Sequence, residues 1–298
     1  MQNSTLSINV THRAGWKDYL AMCKPKVVLL MLLTALVGAF MAPQWPDMGQ
    51  LLIALTGIAA CAASGATINN LIDHRLDAKM ARTRQRAVAQ GLVSPLQALG
   101  FALLLATCGL GLLWFLVNHM TMWLTLFALI GYAVIYTLFL KRATPQNITI
   151  GGLAGAMPPL LGWTAVTGSI DPNALLLVLI IFVWTPPHFW ALALHKKDEY
   201  AKANVPMLPV THGDAFTRTQ IVLYSLLLFA CTLLPFVTGM SGWLYLAGIL
   251  LLNTGQFRLV WRLYDQQDAL APWRLFKFSI QYLMWLFLLL LVDHALFG

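Results

Sequence analysis

Three oxygen-bearing side chains recur at four-residue spacing in one apolar stretch of the chain: Asn69, Asp73 and Asp77. In an α-helix such residues lie along one stripe of the surface, so the three would face the same way. Mg²⁺ in proteins is typically bound by one or two carboxylates together with phosphate oxygens of a substrate. The spacing therefore predicts a wall that holds a diphosphate through Mg²⁺. The alternative is that Asp73 and Asp77 only pair with basic neighbours in a solvated loop.

A basic run follows directly after this stripe. It extends from Lys79 to Arg86 and includes Arg82. Positive charge holds a loop on the cytoplasmic side of a membrane, which is the ordinary function of such a run. A guanidinium also offers a bidentate fork for phosphate oxygens, and we predict this function for at least one of Arg82 and Arg86.

A second polar segment contains His195, Lys197, Asp198 and Glu199. An acidic pair beside lysines indicates either metal or phosphate binding, or a solvated loop with salt bridges. Its position, after an apolar run as in the first segment, favours a binding function.

The residues just before this segment include two adjacent prolines and a histidine. Pro186 and Pro187 remove two backbone donors, so they predict a break in the helix and a pocket there. His188 at that break could be a metal ligand, an acid or base, or a hydrogen-bonded structural residue. Small residues in the preceding apolar run predict close helix packing; they are Gly151, Gly152, Gly155 and Gly162.

The elements that position these residues are apolar runs long enough to cross a bilayer. Only 10% of the 298 residues are charged and 59% are apolar, whereas a soluble domain has about 25% charged residues. Runs of about 17 to 25 residues match the thickness of the hydrocarbon layer. We predict nine spans, at residues 27–43, 50–72, 95–117, 120–139, 148–168, 173–194, 217–238, 242–262 and 275–296. The first could instead be a signal peptide, but no convincing small-x-small cleavage site follows it.

The positive charges identify the orientation of these spans. All nineteen Lys and Arg residues fall in or beside the N-terminal segment 1–23 and the alternate loops, among them the long loops 73–94 and 195–216. The positive-inside rule then places the N-terminus in the cytoplasm and the C-terminus in the periplasm. The net charge of +8 is therefore topological and does not indicate nucleic acid. We predict one all-α membrane domain, residues 1–298, in a bacterial inner membrane.

The stripe and the nine spans resemble the UbiA-type membrane prenyltransferases, an all-α family with a central lateral cavity. The first motif of that family reads N-D-x-x-D-x-x-x-D, and this chain departs from it at Asn70. An N-N opening is similar to the branch of the family that farnesylates protohaem IX. Ala87 stands where that branch commonly has proline, which affects loop stiffness. Further segments similar to the branch are residues 80–83, 136–152, 154–163, 187–193 and 205–210.

The resemblance implies an enzyme that transfers a farnesyl group from farnesyl diphosphate to the vinyl group of haem B. Addition of water would give haem O, and diphosphate would leave. It also implies Mg²⁺ as the cofactor, held by Asn69, Asp73 and Asp77, and factors of haem-copper oxidase biogenesis as candidate partners. The basic residues that would bind diphosphate are Arg82, Arg86, Lys141, Arg142 and Lys197. The second polar motif would comprise His195, Asp198 and Glu199, in a region where quinone-type members carry aspartates.

An allylic cation requires an apolar cavity with aromatic walls, because the faces of aromatic rings attract cations. The candidates for this cavity, or for contact with haem, are Tyr132, Tyr136, Trp163, His188, Phe189 and Trp190.

Two other interpretations remain at this point. One is a prenyltransferase of the same fold that acts on a quinone precursor or another aromatic acceptor. The other is a membrane transporter, in which a broken span and an intramembrane histidine would mark the substrate path. Against transport, the acidic groups cluster at one face of the predicted bundle.

Overall fold

The computed structural model describes residues 14–78, 80, 83–265 and 268–297, and the described residues contain helices and turns but no strand. Arg82 lies outside the described residues, and so does the side chain of Arg142. The described residues form fourteen α-helices and one π-helical segment, Gly131–Leu140, which follows α5. The α-helices are α1 (Trp16–Met22), α2 (Pro25–Phe40), α3 (Met48–Asp77), α4 (Pro95–Leu116), α5 (His119–Ile130), α6 (Lys141–Ala143), α7 (Asn147–Ala156), α8 (Pro158–Thr167), α9 (Pro172–His195), α10 (Lys197–Lys202), α11 (Leu208–Thr211), α12 (Gly213–Val237), α13 (Trp243–Tyr264) and α14 (Ala271–Phe297).

Polar capping residues determine where several of the long helices begin. Ser94 and Gln97 form reciprocal hydrogen bonds at the start of α4, and Asn118 accepts a backbone N–H at the start of α5. Asp171 caps α9 in the same way. These side chains satisfy backbone donors that would otherwise be unpaired at the helix end.

The predicted apolar runs all fall on helices. In the described part of the chain, six helical segments are long and apolar enough to cross a membrane, one of them being α5 together with the π-helical segment. The number is seven if α1 and α2, bent by 51° at their junction, form one span. The run 242–262 forms α13, and the run 148–168 forms α7 and α8, which meet at Met157. A multi-span helical bundle is therefore confirmed, whereas the count of nine stays a prediction.

The predicted break at the double proline is wrong. α9 continues from Pro172 to His195 with Pro186 and Pro187 inside it, both buried. A proline removes its own backbone donor but keeps a helical φ angle, and neighbouring helices tolerate such positions in membrane proteins.

Close packing at the small residues is confirmed where α8 crosses α2. A Cβ atom added at Gly162 would overlap the backbone carbonyl of Ala35, and one added at Gly38 would overlap that of Pro159. Gly155, by contrast, has open space around it. The two helices therefore approach more closely than any larger residue at the crossing would permit.

Long-range contacts distinguish the two ends of the bundle. Lys141, after the π-helical segment, contacts Asp73 near the end of α3. Buried residues of the same end form one apolar cluster that includes Met80, Trp190 and Tyr200. We call this the stripe end. At the opposite end, Asn118 donates to the carbonyl of Thr164 on α8, at 2.8 Å.

Candidate active site

The predicted stripe is present on the last turns of α3. Asn69, Asp73 and Asp77 are 5%, 0% and 3% exposed, and the Asn69 amide donates to Asp73 Oδ2 at 2.8 Å. The three side chains therefore share one buried face of the helix. They face neither lipid nor open solvent.

Three cations from different parts of the chain surround this face. Lys141 Nζ lies 2.5 Å from Asp73 Oδ2, and Arg86 Nη1 lies 2.7 Å from Asp77 Oδ2. Lys24 donates to Asn69 Oδ1 at 2.7 Å. The arrangement is a mixed site in which acidic oxygens and basic nitrogens are within hydrogen-bonding distance of each other.

Lys24 is the residue of this site that sequence reasoning missed, because it was counted only among the topological charges. It lies 45 positions before Asn69 in the chain, and no local spacing connects the two. It occupies the bend between α1 and α2 with a φ of 50°. Burial lowers the pKa of Lys24 to about 7, and the nearby charges of Arg86 and Lys141 act in the same direction. A bound anion would favour its charged form.

Two tyrosines of the π-helical segment lie beside this site. The Tyr132 hydroxyl is 3.5 Å from Lys24 Nζ, and the Tyr132 and Tyr136 rings stack with centroids 5.8 Å apart and planes 12° apart. The Thr137 hydroxyl donates to the carbonyl of Tyr132, five residues earlier. The widened helical turn thus presents both rings near the cations.

The other predicted aromatic residues have different surroundings. Trp163 and Trp190 are 2% and 1% exposed and belong to separate apolar clusters of the core. Phe189 is 38% exposed and meets the His188 ring edge-on. Among the predicted aromatic residues, Tyr132 therefore contacts Lys24 of the site, and Tyr136 is connected to the site through its stacking on Tyr132.

His188 is fixed between aromatic rings and one hydroxyl. Its ring stacks on Trp184 and Phe276, with centroids 4.2 and 4.6 Å away. The Ser279 hydroxyl donates to the carbonyl of Phe276 and lies 2.7 Å from His188 Nδ1. Because that hydroxyl proton is already used, Nδ1 is assigned as the donor and Nε2 as the unprotonated nitrogen.

The second polar motif lies at the stripe end and forms local ion pairs. Lys197, predicted to bind diphosphate, pairs with Asp214 at 2.7 Å. Glu199 pairs with Lys196 at 2.9 Å, and His195 stacks on another ring, that of Trp273. Asp198 lies with Glu199 in the first turn of α10.

The oxygen donors of the stripe fit Mg²⁺ if a substrate supplies further ligands. No group of three His, Cys, Asp or Glu side chains in the described part of the chain is placed to hold a metal ion. Asp73 and Asp77, with the amide of Asn69, leave coordination positions for phosphate oxygens, as Mg²⁺ sites commonly do. The cations Lys24, Lys141 and Arg86 would face the same phosphates.

A sequence profile of the UbiA prenyltransferase family matches residues 31–289. The chain belongs to the UbiA prenyltransferase family. The family predicted from the sequence motifs is thereby confirmed. Among relatives of this UbiA prenyltransferase, the "Protoheme IX farnesyltransferase" of Hahella chejuensis is 56% identical over 287 residues, which are 96% of each chain. The protein of that name from Azotobacter vinelandii is 56% identical over 297 residues, 98% of each chain.

Solved structures share the fold of this UbiA prenyltransferase. A digeranylgeranylglyceryl phosphate synthase superposes with a TM-score of 0.78 at 18% identity, over 93% of this chain and 98% of that one. A UbiA homologue from Archaeoglobus fulgidus bound to GPP and Mg²⁺ superposes with a TM-score of 0.65 at 16% identity, over 92% and 99% of the two chains. At these identities the likeness establishes the fold alone.

Proposed function

We propose that this UbiA prenyltransferase transfers a farnesyl group from farnesyl diphosphate to a vinyl group of haem B, giving haem O and diphosphate. The observation that carries the proposal is the 56% identity to protoheme IX farnesyltransferases along nearly the full length of both chains. The buried stripe with its surrounding cations supports a diphosphate substrate. Haem O would then be available to factors of haem-copper oxidase biogenesis.

The diphosphate would bind between the stripe and the basic residues. Asn69, Asp73 and Asp77 would hold Mg²⁺, which when bound neutralises charge on the leaving diphosphate. Lys24 would donate to phosphate oxygens from the bend after α1, and the other basic ligands would be Arg82, Arg86, Lys141 and Arg142. Lys197 is paired with Asp214 and is not included among them. These groups stabilise the departing anion more than the intact ester, which is the requirement for rate acceleration.

The farnesyl carbon would lose its C–O bond to the diphosphate and become an allylic cation. The Tyr132 hydroxyl lies 3.5 Å from Lys24 Nζ, and the stacked rings of Tyr132 and Tyr136 would turn their faces toward this carbon. A haem vinyl group would then form the new C–C bond. Water would add to the resulting cation and lose a proton, which gives the hydroxyl group of haem O.

The haem would occupy a central cavity bordered by α9. His188 is the candidate for direct contact with haem, because its ring is held rigidly and its Nε2 carries a lone pair for the iron. Phe189, which is 38% exposed, would line the apolar part of the cavity, whereas Trp163 and Trp190 are packed within the core and do not reach it. His195, Asp198 and Glu199 would border the diphosphate from α10 and the end of α9.

The test is incubation of the purified protein with Mg²⁺, farnesyl diphosphate and haem B, followed by mass analysis of the pigment. We expect a mass gain of one farnesyl group plus water, dependent on Mg²⁺. Unmodified haem, together with prenylated hydroxybenzoate when that acceptor is offered, would assign the protein to a quinone precursor instead.

We further propose nine spans in the inner membrane, with the N-terminus cytoplasmic and the C-terminus periplasmic. The described basic residues that have a recorded ion pair all pair at the stripe end. This supports one cytoplasmic end, because Lys and Arg are concentrated on that side of membrane proteins.

A further inference from the structure

A groove separate from the candidate active site runs along α12 and α13. Its volume is about 1060 Å³, and apolar side chains of both helices line it, including Leu226, Phe229, Leu250 and Phe257. Leu226 and Leu250 are 51% and 43% exposed, so the groove opens on the outer surface of the bundle. In a membrane this surface contacts lipid.

Arginines stand at one end of this apolar groove. Arg258 and Arg262 line it and lie four residues apart on α13, so they share one face of the helix. Both are exposed, and within the described ranges no acidic side chain forms a salt bridge with either. Their charges are therefore available to an anion that approaches from outside the bundle.

A third arginine, on α12, adds to this charge. Arg218 lies one turn before Val222, which lines the groove, and its Nε is buried without a hydrogen-bond partner among the residues that the structure describes. A buried donor without an acceptor is uncommon in proteins. An anion bound at this end of the groove would supply acceptor oxygens for hydrogen bonds from all three guanidinium groups.

Aromatic residues place this end of the groove at the level of lipid headgroups. Trp261 and Tyr264 line it beside the arginines and are 67% and 50% exposed. Exposed Trp and Tyr side chains are enriched at the boundary between hydrocarbon and water. A molecule in the groove would thus have its polar part beside the arginines and its apolar part along Leu226 and Phe229.

We propose that this groove binds an anionic phospholipid of the leaflet at the stripe end. The phosphate contacts Arg258 and Arg262, and an acyl chain lies between α12 and α13. Unpaired arginines next to an apolar groove complement this combination of charge and chain, as basic pockets between membrane helices commonly do. A second copy of this protein is a poorer occupant, because its equivalent face would bring the same uncompensated positive charges together.

The test is native mass spectrometry of the full-length protein in detergent, titrated with phosphatidylglycerol. The double variant Arg258→Gln/Arg262→Gln is expected to bind this lipid roughly 30-fold more weakly, by analogy with basic residues near anionic membranes. The control is Arg274→Gln/Lys277→Gln, which removes two charges from α14 at the same end of the bundle and should bind normally. Thr254→Trp narrows the groove but keeps the arginines, and it should also weaken binding.

Several results would overturn the proposal. Equal losses in the groove variant and the control would indicate an effect of net charge alone, and equal binding of phosphatidylethanolamine would exclude recognition of the anionic headgroup. If inorganic phosphate at millimolar concentration displaced the lipid, the arginines would form a site for free phosphate ions and the groove would not be specific for a phospholipid. A dimer that dissociates when the groove is filled by Thr254→Trp would assign the groove to a second copy. Unchanged circular dichroism of each variant establishes that it is folded.

Discussion

Asp73 is fully buried and pairs with Lys141. The ion pair stabilises the folded protein as well as placing a cation beside the stripe. A buried carboxylate that loses its cation destabilises a protein by about 3 to 5 kcal/mol. The ion pairs of Asp73 and Asp77 thus stabilise the fold around the stripe, and they hold the basic groups where a diphosphate would bind. The sequence left open whether Asp73 and Asp77 form a binding site or only pair with basic residues. In the structure the same two aspartates form the buried stripe and pair with basic residues.

Replacement of Asp73 by Asn tests the stripe directly. We expect haem O formation to fall by at least about 100-fold, because the amide neither balances Lys141 nor binds a divalent cation as a carboxylate does. Helical content by circular dichroism should be unchanged. Asp268→Asn, which removes a more exposed carboxylate paired with Arg274, should retain activity. Normal turnover by Asp73→Asn would remove the stripe from the mechanism.

Replacement of Lys24 by Gln tests the residue that only the structure revealed. A charged donor to phosphate is lost, so the KM for farnesyl diphosphate should rise by about tenfold. The KM for haem B should stay the same. Lys26→Gln removes an exposed charge two residues away and serves as the matched control. Equal kinetic constants for both variants would mean that Lys24 acts only as a topological charge.

The departure from the family motif at Asn70 also has a structural reason. The Asn70 amide donates to the backbone carbonyl of Met22 at 2.9 Å, which connects α3 to the segment that carries Lys24. An ionised aspartate has no proton to donate there. In this chain Asn70, at the second position of the motif, therefore helps to fix the bend between α1 and α2.

At the scale of helices, two irregular features build the site. The π-helical segment places Tyr132 beside Lys24 and stacks Tyr136 on Tyr132, and π-helical turns are frequent at functional sites. The glycine crossing of α2 and α8 holds α2 against the bundle. Because Lys24 directly precedes α2, the position of that helix determines whether Lys24 Nζ is within hydrogen-bonding distance of Asn69.

Gly162→Ala is expected to destabilise the protein by about 1 to 3 kcal/mol, because the new methyl group would push the carbonyl of Ala35 away. Thermal unfolding in detergent measures the effect as a lower midpoint temperature. Gly155→Ala, in the preceding helix and with open space around it, should leave stability equal or slightly higher. A similar midpoint for both variants would contradict the close approach of α2 and α8.

At the scale of the whole molecule, the two ends of the bundle differ in charge, and this difference predicts its orientation. Single cysteines at Gln90 and Ser169, both exposed, would be introduced after the four native cysteines are replaced by alanine. A membrane-impermeant thiol reagent added to intact cells should label Ser169→Cys and leave Gln90→Cys unlabelled until the cells are opened. The reverse pattern would invert the proposed topology.

The sequence alone determined the properties that depend on composition and local spacing. Apolar runs predicted the long helices, because a helix in lipid must be apolar over the thickness of the bilayer. The four-residue spacing of Asn69, Asp73 and Asp77 predicted their common face, since helical geometry relates such positions directly. The linked motifs identified the family. Each of these signals lies within one helix or one short segment.

The tertiary structure decided everything that joins distant segments. It brought Lys24, Lys141 and Arg86 to one stripe, although no spacing relates them, and it paired Lys197 with Asp214 instead. It also kept α9 continuous through Pro186 and Pro187, because packing by neighbours outweighs the loss of two backbone hydrogen bonds. The local sequence determines which charged and polar side chains each helix carries, while the packing of the helices determines which of these side chains contact each other.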